Sequence, residues 1–149
     1  MAEKKNAISY ESVMKDLKAR KFAPVYVLMG DEPFYIDKIC DYIAENVLQP
    51  EERDFNQTVL FGADTTAVQV VDQCKGYPMM AEFRVVIVKE AQNLKSLDAL
   101  EKYLEKPVKS TVLVICNKNG SIDRRKKFIP RAEQVGVVFE SKKLYDRQL

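Results

Sequence analysis

The chain has 149 residues, 46% of them hydrophobic and 31% charged, and a mean hydropathy of -0.29, which suits one soluble domain with its own core. It contains no histidine and no tryptophan, so histidine-based nucleophilic sites, histidine-ligated metal centres and imidazole pH switches are excluded. Its 24 Lys and Arg against 22 Asp and Glu give a net charge of +2, which predicts no strong non-specific attraction to nucleic acid or to an anionic membrane.

Five short runs rich in β-branched and apolar residues predict β-strands. The third and fourth are apolar almost throughout, as expected of strands that are covered on both faces of a parallel sheet. The predicted strands are Val25–Met29, Gln57–Phe61, Val85–Val88, Thr111–Cys116 and Val135–Phe139.

Helical patterns lie between these runs, and most carry a residue typical of a helix end. Strands that alternate with helices of this length predict a three-layer α/β fold around a parallel five-stranded sheet with right-handed crossovers. One predicted helix follows Ser9, and a second begins at Pro33. A third follows Asp64, with Val68, Val71 and Cys74 on one face and Gly76 at its end. A fourth carries the stripe Leu94, Leu97, Leu100 and Leu104, and a fifth follows Ser121, with Gly136 at its end.

The segment after the first predicted strand has the position of a P-loop but not its residues. A P-loop reads G-x-x-x-x-G-K-[ST], in which backbone N–H groups surround the phosphates and the lysine neutralises them. Here Gly30 matches the first glycine, whereas Tyr35, Ile36 and Asp37 stand at the second glycine, the lysine and the hydroxyl positions. Two acidic residues and a proline fill the loop between them. The sequence therefore predicts that the phosphate cradle is missing.

The end of the third predicted strand also lacks the residues of an ATP-hydrolysing site. P-loop ATPases end a buried strand with Asp-Glu, which holds Mg²⁺ and polarises the attacking water. Glu90 stands at the expected place, but Lys89 replaces the metal-binding aspartate, and a lysine cannot hold a cation. Asn117, after the fourth strand, is either a polar sensor residue or a turn former. An ordinary α/β domain unrelated to such ATPases is the alternative, and neither interpretation predicts ATP hydrolysis, a cofactor or a bound metal.

The three cysteines and the apolar runs indicate a compartment. Cys40, Cys74 and Cys116 are odd in number, form no C-x-x-C pair and lie within apolar patterns, so we expect buried free thiols. The longest apolar run, Val112 to Cys116, is far shorter than the roughly 20 residues that cross a bilayer. No apolar stretch follows the basic residues near the N-terminus, so we expect no signal peptide, no membrane partner and a cytoplasmic protein.

The connection before the third strand is unusually apolar. It reads G-Y-P-M-M-A-E-F-R from Gly76 to Arg84, although connections generally run over the protein surface. Exposed apolar clusters mark interaction sites, and the flexible, polarizable methionine side chain suits insertion into a partner's pocket. The alternative is that Met79, Met80 and Phe83 fold back onto the core.

Four segments, in the same order along the chain, resemble the N-terminal part of the delta subunit of bacterial DNA polymerase III. The first, F-A-P-V-Y-V-L-M-G-D-E-P-F-Y-I-D, is similar to the family's apolar strand, glycine, acidic residue, proline and aromatic residue. The second, P-M-M-A-E-F-R-V-V-I-V, is similar to its Pro-Leu-Phe, basic residue and apolar strand. The others are D-R-R-K-K, from Asp123 to Lys127, and the C-terminal L-Y-D-R-Q-L.

This resemblance implies an AAA+-type domain that does not bind ATP and has no activity of its own, within a DNA-directed DNA polymerase (nucleotidyltransferase) holoenzyme. In the family, two apolar residues after the proline insert into a hydrophobic pocket of the sliding clamp (the beta subunit) and favour its opened form. ATP bound by other loader subunits controls when delta is exposed. The implied clamp-binding residues are Met79 and Met80, with Pro78 shaping the turn and Phe83 in support, although the family usually has Leu-Phe there.

The resemblance also implies partners and a domain division. The implied partners are the clamp, the gamma or tau and delta prime loader subunits, and DNA indirectly within the complex. Residues 1–143 are expected to form the clamp-binding domain, and residues 144–149 to begin a second domain.

A basic stretch near the end of the chain leaves other functions open. It either contacts DNA phosphates or forms the solvated face of a helix. A divergent P-loop nucleotide hydrolase and an independent nucleic-acid-binding domain are therefore the alternative functions. The stretch consists of Arg124, Arg125, Lys126 and Lys127.

Overall fold

The computed structural model of the chain describes residues 8–142. A five-stranded parallel sheet with the order β2–β3–β4–β1–β5 forms its centre. The strands are β1 (Val25–Gly30), β2 (Gln57–Phe61), β3 (Arg84–Lys89), β4 (Thr111–Lys118) and β5 (Val137–Ser141).

The helices lie between the strands in sequence and cover both faces of the sheet. Three 3₁₀ turns, at Pro50–Glu52, Gly62–Asp64 and Ala91–Asn93, accompany them. The helices are α1 (Tyr10–Lys18), α2 (Pro33–Asn46), α3 (Arg53–Asn56), α4 (Ala67–Cys74), α5 (Asp98–Tyr103) and α6 (Phe128–Val135).

Each face of the sheet carries its own core because side chains alternate along every strand. In β1, Val27 and Met29 pack on the side of α4, α5 and α6, whereas Tyr26 and Leu28 pack on the side of α1 and α2. All six residues of β1 are buried, as expected of a central strand covered on both faces. The three-layer parallel α/β prediction is confirmed.

Several predicted boundaries differ from the structure: β1, β3 and β4 extend one or two residues beyond the predicted strands, and two elements begin later than predicted. The fifth strand begins at Val137 rather than Val135, because Val135 completes α6 and Gly136 ends that helix. The third predicted helix begins at Ala67 rather than after Asp64, because Thr66 and Gln69 form a reciprocal capping box that satisfies free N–H groups at the helix start. Val68, which was expected on the buried face, is 60% exposed, because Ala67, Val70 and Cys74 form that face.

The other helix predictions are confirmed in part. The Ser9 hydroxyl accepts the Ser12 N–H at the start of α1, and Pro33 is the first residue of α2. The leucine stripe packs against the core from Leu94 to Leu104, but only Asp98–Tyr103 within it is α-helical.

The cysteine prediction is confirmed, since Cys40, Cys74 and Cys116 are free and buried. Burial raises the pKa of the Cys74 thiol to about 12. In the part of the chain from residue 8 to residue 142, no helix has both the length and the apolar character needed to cross a membrane.

The start of α2 is fixed by close backbone packing around Gly30. Gly30 has a φ of 128°, and its N–H donates to the Gly120 carbonyl over 2.8 Å. A Cβ atom at Gly30 would overlap the carbonyl oxygen of Ser141, which accepts the Glu32 N–H over 3.2 Å. The last residue of β1 is therefore held against the ends of two neighbouring segments, and only glycine fits there.

These contacts predict that Gly30→Ala lowers the free energy of unfolding by about 3 kcal/mol, from backbone strain and overlap together. Gly120→Ala is the matched control, since Gly120 also has a positive φ, 148°, but a Cβ there meets no atom within 4 Å. Urea unfolding of both variants measures the difference. Equal losses would show that the overlap with Ser141 contributes nothing.

Candidate functional site

The two candidate sites lie at opposite edges of the sheet. In a parallel sheet every strand ends at the same edge, where α/β proteins usually bind ligands. Gly30 and Lys89 end β1 and β3 at this carboxyl edge, whereas the apolar loop from Gly76 to Phe83 enters β3 at the amino edge. The molecule thus separates the P-loop position from the exposed methionines by the length of a strand.

At the carboxyl edge, the chain's own carboxylate occupies the helix start that a phosphate would use. The N-terminus of a helix attracts anions through its free N–H groups and its dipole. Here the Glu32 side chain caps α2 by accepting the Phe34 N–H over 3.1 Å. A phosphate at this helix start would have to displace that carboxylate.

The three residues at the remaining P-loop positions have other contacts. Ile36, at the lysine position, is fully buried in the core on the α1 and α2 side. Tyr35 packs against Tyr10, with ring centroids 4.8 Å apart. Asp37 forms an ion pair with Lys118 over 2.7 Å, and this hydrogen bond raises the pKa of Lys118.

The end of β3 carries a lysine where the metal-binding aspartate of a P-loop ATPase would stand. Lys89 is exposed, and Glu90 adopts a left-handed φ of 54° and begins the following 3₁₀ turn. Asn117 acts as a turn former, since its side chain donates to the Gly120 carbonyl over 3.1 Å. Across residues 8–142, no group of three or more Cys, Asp or Glu is placed to hold a metal ion.

At the amino edge, the two methionines point into solvent. Met80 is 99% exposed and Met79 is 60% exposed, with Tyr77 and the half-buried Pro78 just before them. Met80 has a left-handed φ of 56°, a conformation that costs a non-glycine residue about 1–2 kcal/mol. The alternative in which these methionines fold back onto the core is wrong. The structure holds them outward in a strained conformation.

A buried asparagine fixes the backbone of this loop. The Asn56 side chain, at the end of α3, accepts the Met79 N–H over 2.6 Å and donates to the Met79 carbonyl over 3.0 Å. It also donates to the Glu52 carbonyl over 2.9 Å. Only 1% of Asn56 is exposed, so these bonds form away from water, where a lost partner is costly.

Arg84 braces the other side of the loop. Its guanidinium donates to the Gln73 carbonyl over 2.8 Å, to the Gln73 side chain over 2.7 Å and to the Phe55 carbonyl over 3.3 Å. These bonds join the end of α4 to α3 beneath the methionines. The methionines are therefore presented on a rigid base.

Phe83 is less exposed than the two methionines, and its contribution to the binding surface stays a prediction. It packs edge-on against Phe22, with centroids 5.3 Å apart, and belongs to the partly buried shell of the core. The Phe83 ring is partly buried because it packs against apolar side chains of the core. Phe83 anchors the end of the loop.

The basic stretch lies before the last helix, since α6 begins only at Phe128; the prediction that it forms a helix face is wrong. Arg124 forms ion pairs with Glu133 and Glu140 over 3.1 and 3.0 Å. Arg125 pairs with Asp123 over 3.0 Å. Lys126 and Lys127 are exposed. Because carboxylates engage both arginines, this segment presents less free positive charge than its sequence suggests.

The C-terminal L-Y-D-R-Q-L lies outside the described residues, and so does the start of the expected second domain. The sequence analysis also did not identify Asn56 and Phe55 as site residues. They are 23 or more positions away from Met79 in the chain, and nothing local to them signals the contact.

Comparison with known proteins identifies relatives along most of the chain. A family model described as DNA polymerase III, delta subunit, matches residues 26–142. The DNA polymerase III subunit delta of Bacillus subtilis (strain 168) is 30% identical over 142 residues, which cover 89% of this chain and 41% of the relative. The chain therefore spans about two-fifths of that relative's length.

Solved structures agree with this match. The Bacillus subtilis DNA clamp loader delta protein superposes with a TM-score of 0.81 at 28% identity, over 91% of this chain and 43% of that chain. A DNA polymerase III gamma subunit-related protein of Thermotoga maritima superposes with a TM-score of 0.54 at 15% identity, over 95% and 48% of the two chains. This second likeness concerns the fold alone.

The loop geometry predicts that Asn56→Ala destabilises the protein by about 3 kcal/mol, because its side chain forms three hydrogen bonds and buried hydrogen bonds contribute about 1 kcal/mol each. Hydrogen exchange of the Met79 amide should accelerate, and urea unfolding should shift to lower concentration. Asn93→Ala, at an exposed asparagine, is the control and should change neither. An unchanged Met79 exchange rate in Asn56→Ala would contradict the anchoring role.

Proposed function

The chain belongs to the DNA polymerase III delta subunit family, and on that basis we propose that it binds the sliding clamp through Met79 and Met80 and helps to open the ring for loading onto DNA. The observation that carries this proposal is the exposure of Met80, which reaches 99% on an anchored loop. Burial of a methionine side chain contributes about 1.5–3 kcal/mol. Two adjacent methionines therefore supply a substantial part of a binding free energy.

The proposed mechanism uses binding energy and no bond chemistry. A ligand shifts an equilibrium only by its differential affinity for the two states. If the methionines fit the clamp better when its interface is open, binding increases the open population by that ratio of affinities. The rigid base formed by Asn56 and Arg84 supports this role, because a preorganised loop loses less entropy on binding.

The residues at the carboxyl edge support the proposal that this subunit has no ATPase activity of its own. Ile36 in the core and the Glu32 cap at the start of α2 leave no lysine and no free helix terminus for a triphosphate. We propose that Gly30, Tyr35, Ile36 and Asp37 mark a former nucleotide site. Control by ATP then belongs to the gamma or tau subunits of the loader, and delta prime is a further partner. The complex is cytoplasmic, and the chain contacts DNA only indirectly within it.

Neither alternative function gains an observation in its favour. A divergent nucleotide hydrolase needs a phosphate cradle, and the loop after β1 is closed around its own backbone through Gly30 and Ser141. A nucleic-acid-binding domain needs a cluster of free cations, whereas Arg124 and Arg125 are engaged with carboxylates and the exposed lysines of the stretch are Lys126 and Lys127.

Replacement of both Met79 and Met80 by serine should weaken binding to the cognate sliding clamp on the order of a hundredfold, since the apolar contact is lost. Surface plasmon resonance on immobilised clamp measures the affinity. Val68→Ser, at an exposed apolar residue of α4, is the matched control and should bind like the unmodified chain. Undiminished binding by the double variant would overturn the assignment of the methionines.

Titration calorimetry with Mg-ATP is expected to show no saturable heat at millimolar nucleotide, because the Glu32 carboxylate caps the helix start and Lys89 stands where an aspartate would bind Mg²⁺. The gamma-type subunit of the same loader is the positive control. Micromolar ATP binding by this chain would contradict the proposed loss of the site.

A further inference from the structure

A cleft lies directly beside the exposed methionines. It has a volume of about 490 Å³ and is bounded on one side by the Pro50–Glu52 turn and α3, and on the other by the methionine loop. Its lining residues are Glu51, Glu52, Phe55, Asn56, Met79 and Met80. The volume falls within the range of about 300–1,000 Å³ typical of binding pockets.

Phe55, Met79 and Met80 give this cleft its apolar lining, and hydrogen bonds fix the backbone on both sides of it. Phe55 is 67% exposed and faces the thioether side chains across the cleft. Asn56, at the floor, bonds to the Glu52 carbonyl of one wall and to the Met79 backbone of the other. An apolar side chain that enters the cleft therefore gains aromatic and methionine contacts without having to order the walls.

The rim of the cleft is acidic. Glu51 is exposed, and one oxygen of the Glu52 carboxylate accepts the Gln49 N–H over 2.9 Å. The adjacent cation, Arg53, donates to the Glu45 carbonyl at the end of α2. The carboxylate charge at the rim therefore favours an occupant that carries a Lys or Arg beside its apolar side chain.

We propose that this cleft receives an apolar side chain of the sliding clamp, with a neighbouring Lys or Arg of the clamp facing Glu51. This inference rests on the proposed function. Met79 and Met80 form one wall of the cleft as well as the exposed tip of the loop, so a partner that covers the tip also covers the mouth of the cleft. The contact is then reciprocal: the methionines insert into the clamp, and the clamp inserts beside Phe55.

The test measures clamp affinity of the full chain by surface plasmon resonance at two salt concentrations. Phe55→Ala should weaken binding about tenfold. Glu51→Lys should weaken it by a similar factor and reduce its salt dependence, because a favourable charge contact becomes repulsive. Phe34→Ala is the matched control, since Phe34 is 53% exposed but lies at the opposite edge of the sheet, and it should bind like the unmodified chain.

The outcomes separate this inference from the proposed function. Normal clamp binding by Phe55→Ala, with loss of binding in the Met79 and Met80 double variant, overturns the cleft and leaves the proposed function intact. Failure of the unmodified chain to bind the clamp overturns both. If Phe55→Ala changes the sedimentation coefficient of the free chain but not its clamp affinity, the occupant is a second copy of this chain and the inference is wrong.

Discussion

The common direction of the five strands is the constraint on which the rest of the molecule depends. Because all of them end at one edge, the P-loop position and the methionine loop lie at opposite edges. The central strands β1, β3 and β4 that lie between them are buried on both faces over most of their length and are closely packed. Changes at the carboxyl edge during evolution of the chain therefore do not have to disturb the proposed binding surface at the amino edge.

The residues that stand at and beside the P-loop positions stabilise the fold. Ile36 stands where a lysine would meet phosphate, and it is fully buried beneath the sheet. The Glu32 carboxylate, which would repel a triphosphate, instead caps α2. One set of side chains thus accounts for stability and for the proposed loss of phosphate binding.

The sequence predicted the sheet and the apolar loop because both depend on local patterns. Strand runs such as Val85–Val88 are recognisable from their β-branched residues, and the methionines are conspicuous in a connection. The anchoring of the loop could not be predicted, because Asn56 meets Met79 only through the pairing of β2 with β3. The ion pairs of the basic stretch could not be predicted from the sequence for a related reason. The carboxylates that engage Arg124 lie in α6 and β5, and only the fold brings them together.

The central claim is that this chain meets the sliding clamp through its amino-edge methionines. Its five methionines are Met1, Met14, Met29, Met79 and Met80, so methyl NMR of methionine-labelled protein resolves the contact residue by residue. On addition of the cognate clamp, the account predicts shifts of the Met79 and Met80 methyl signals, whereas that of the fully buried Met29 keeps its position. Shifts confined to Met14, or binding that leaves Met79 and Met80 unshifted, would contradict it.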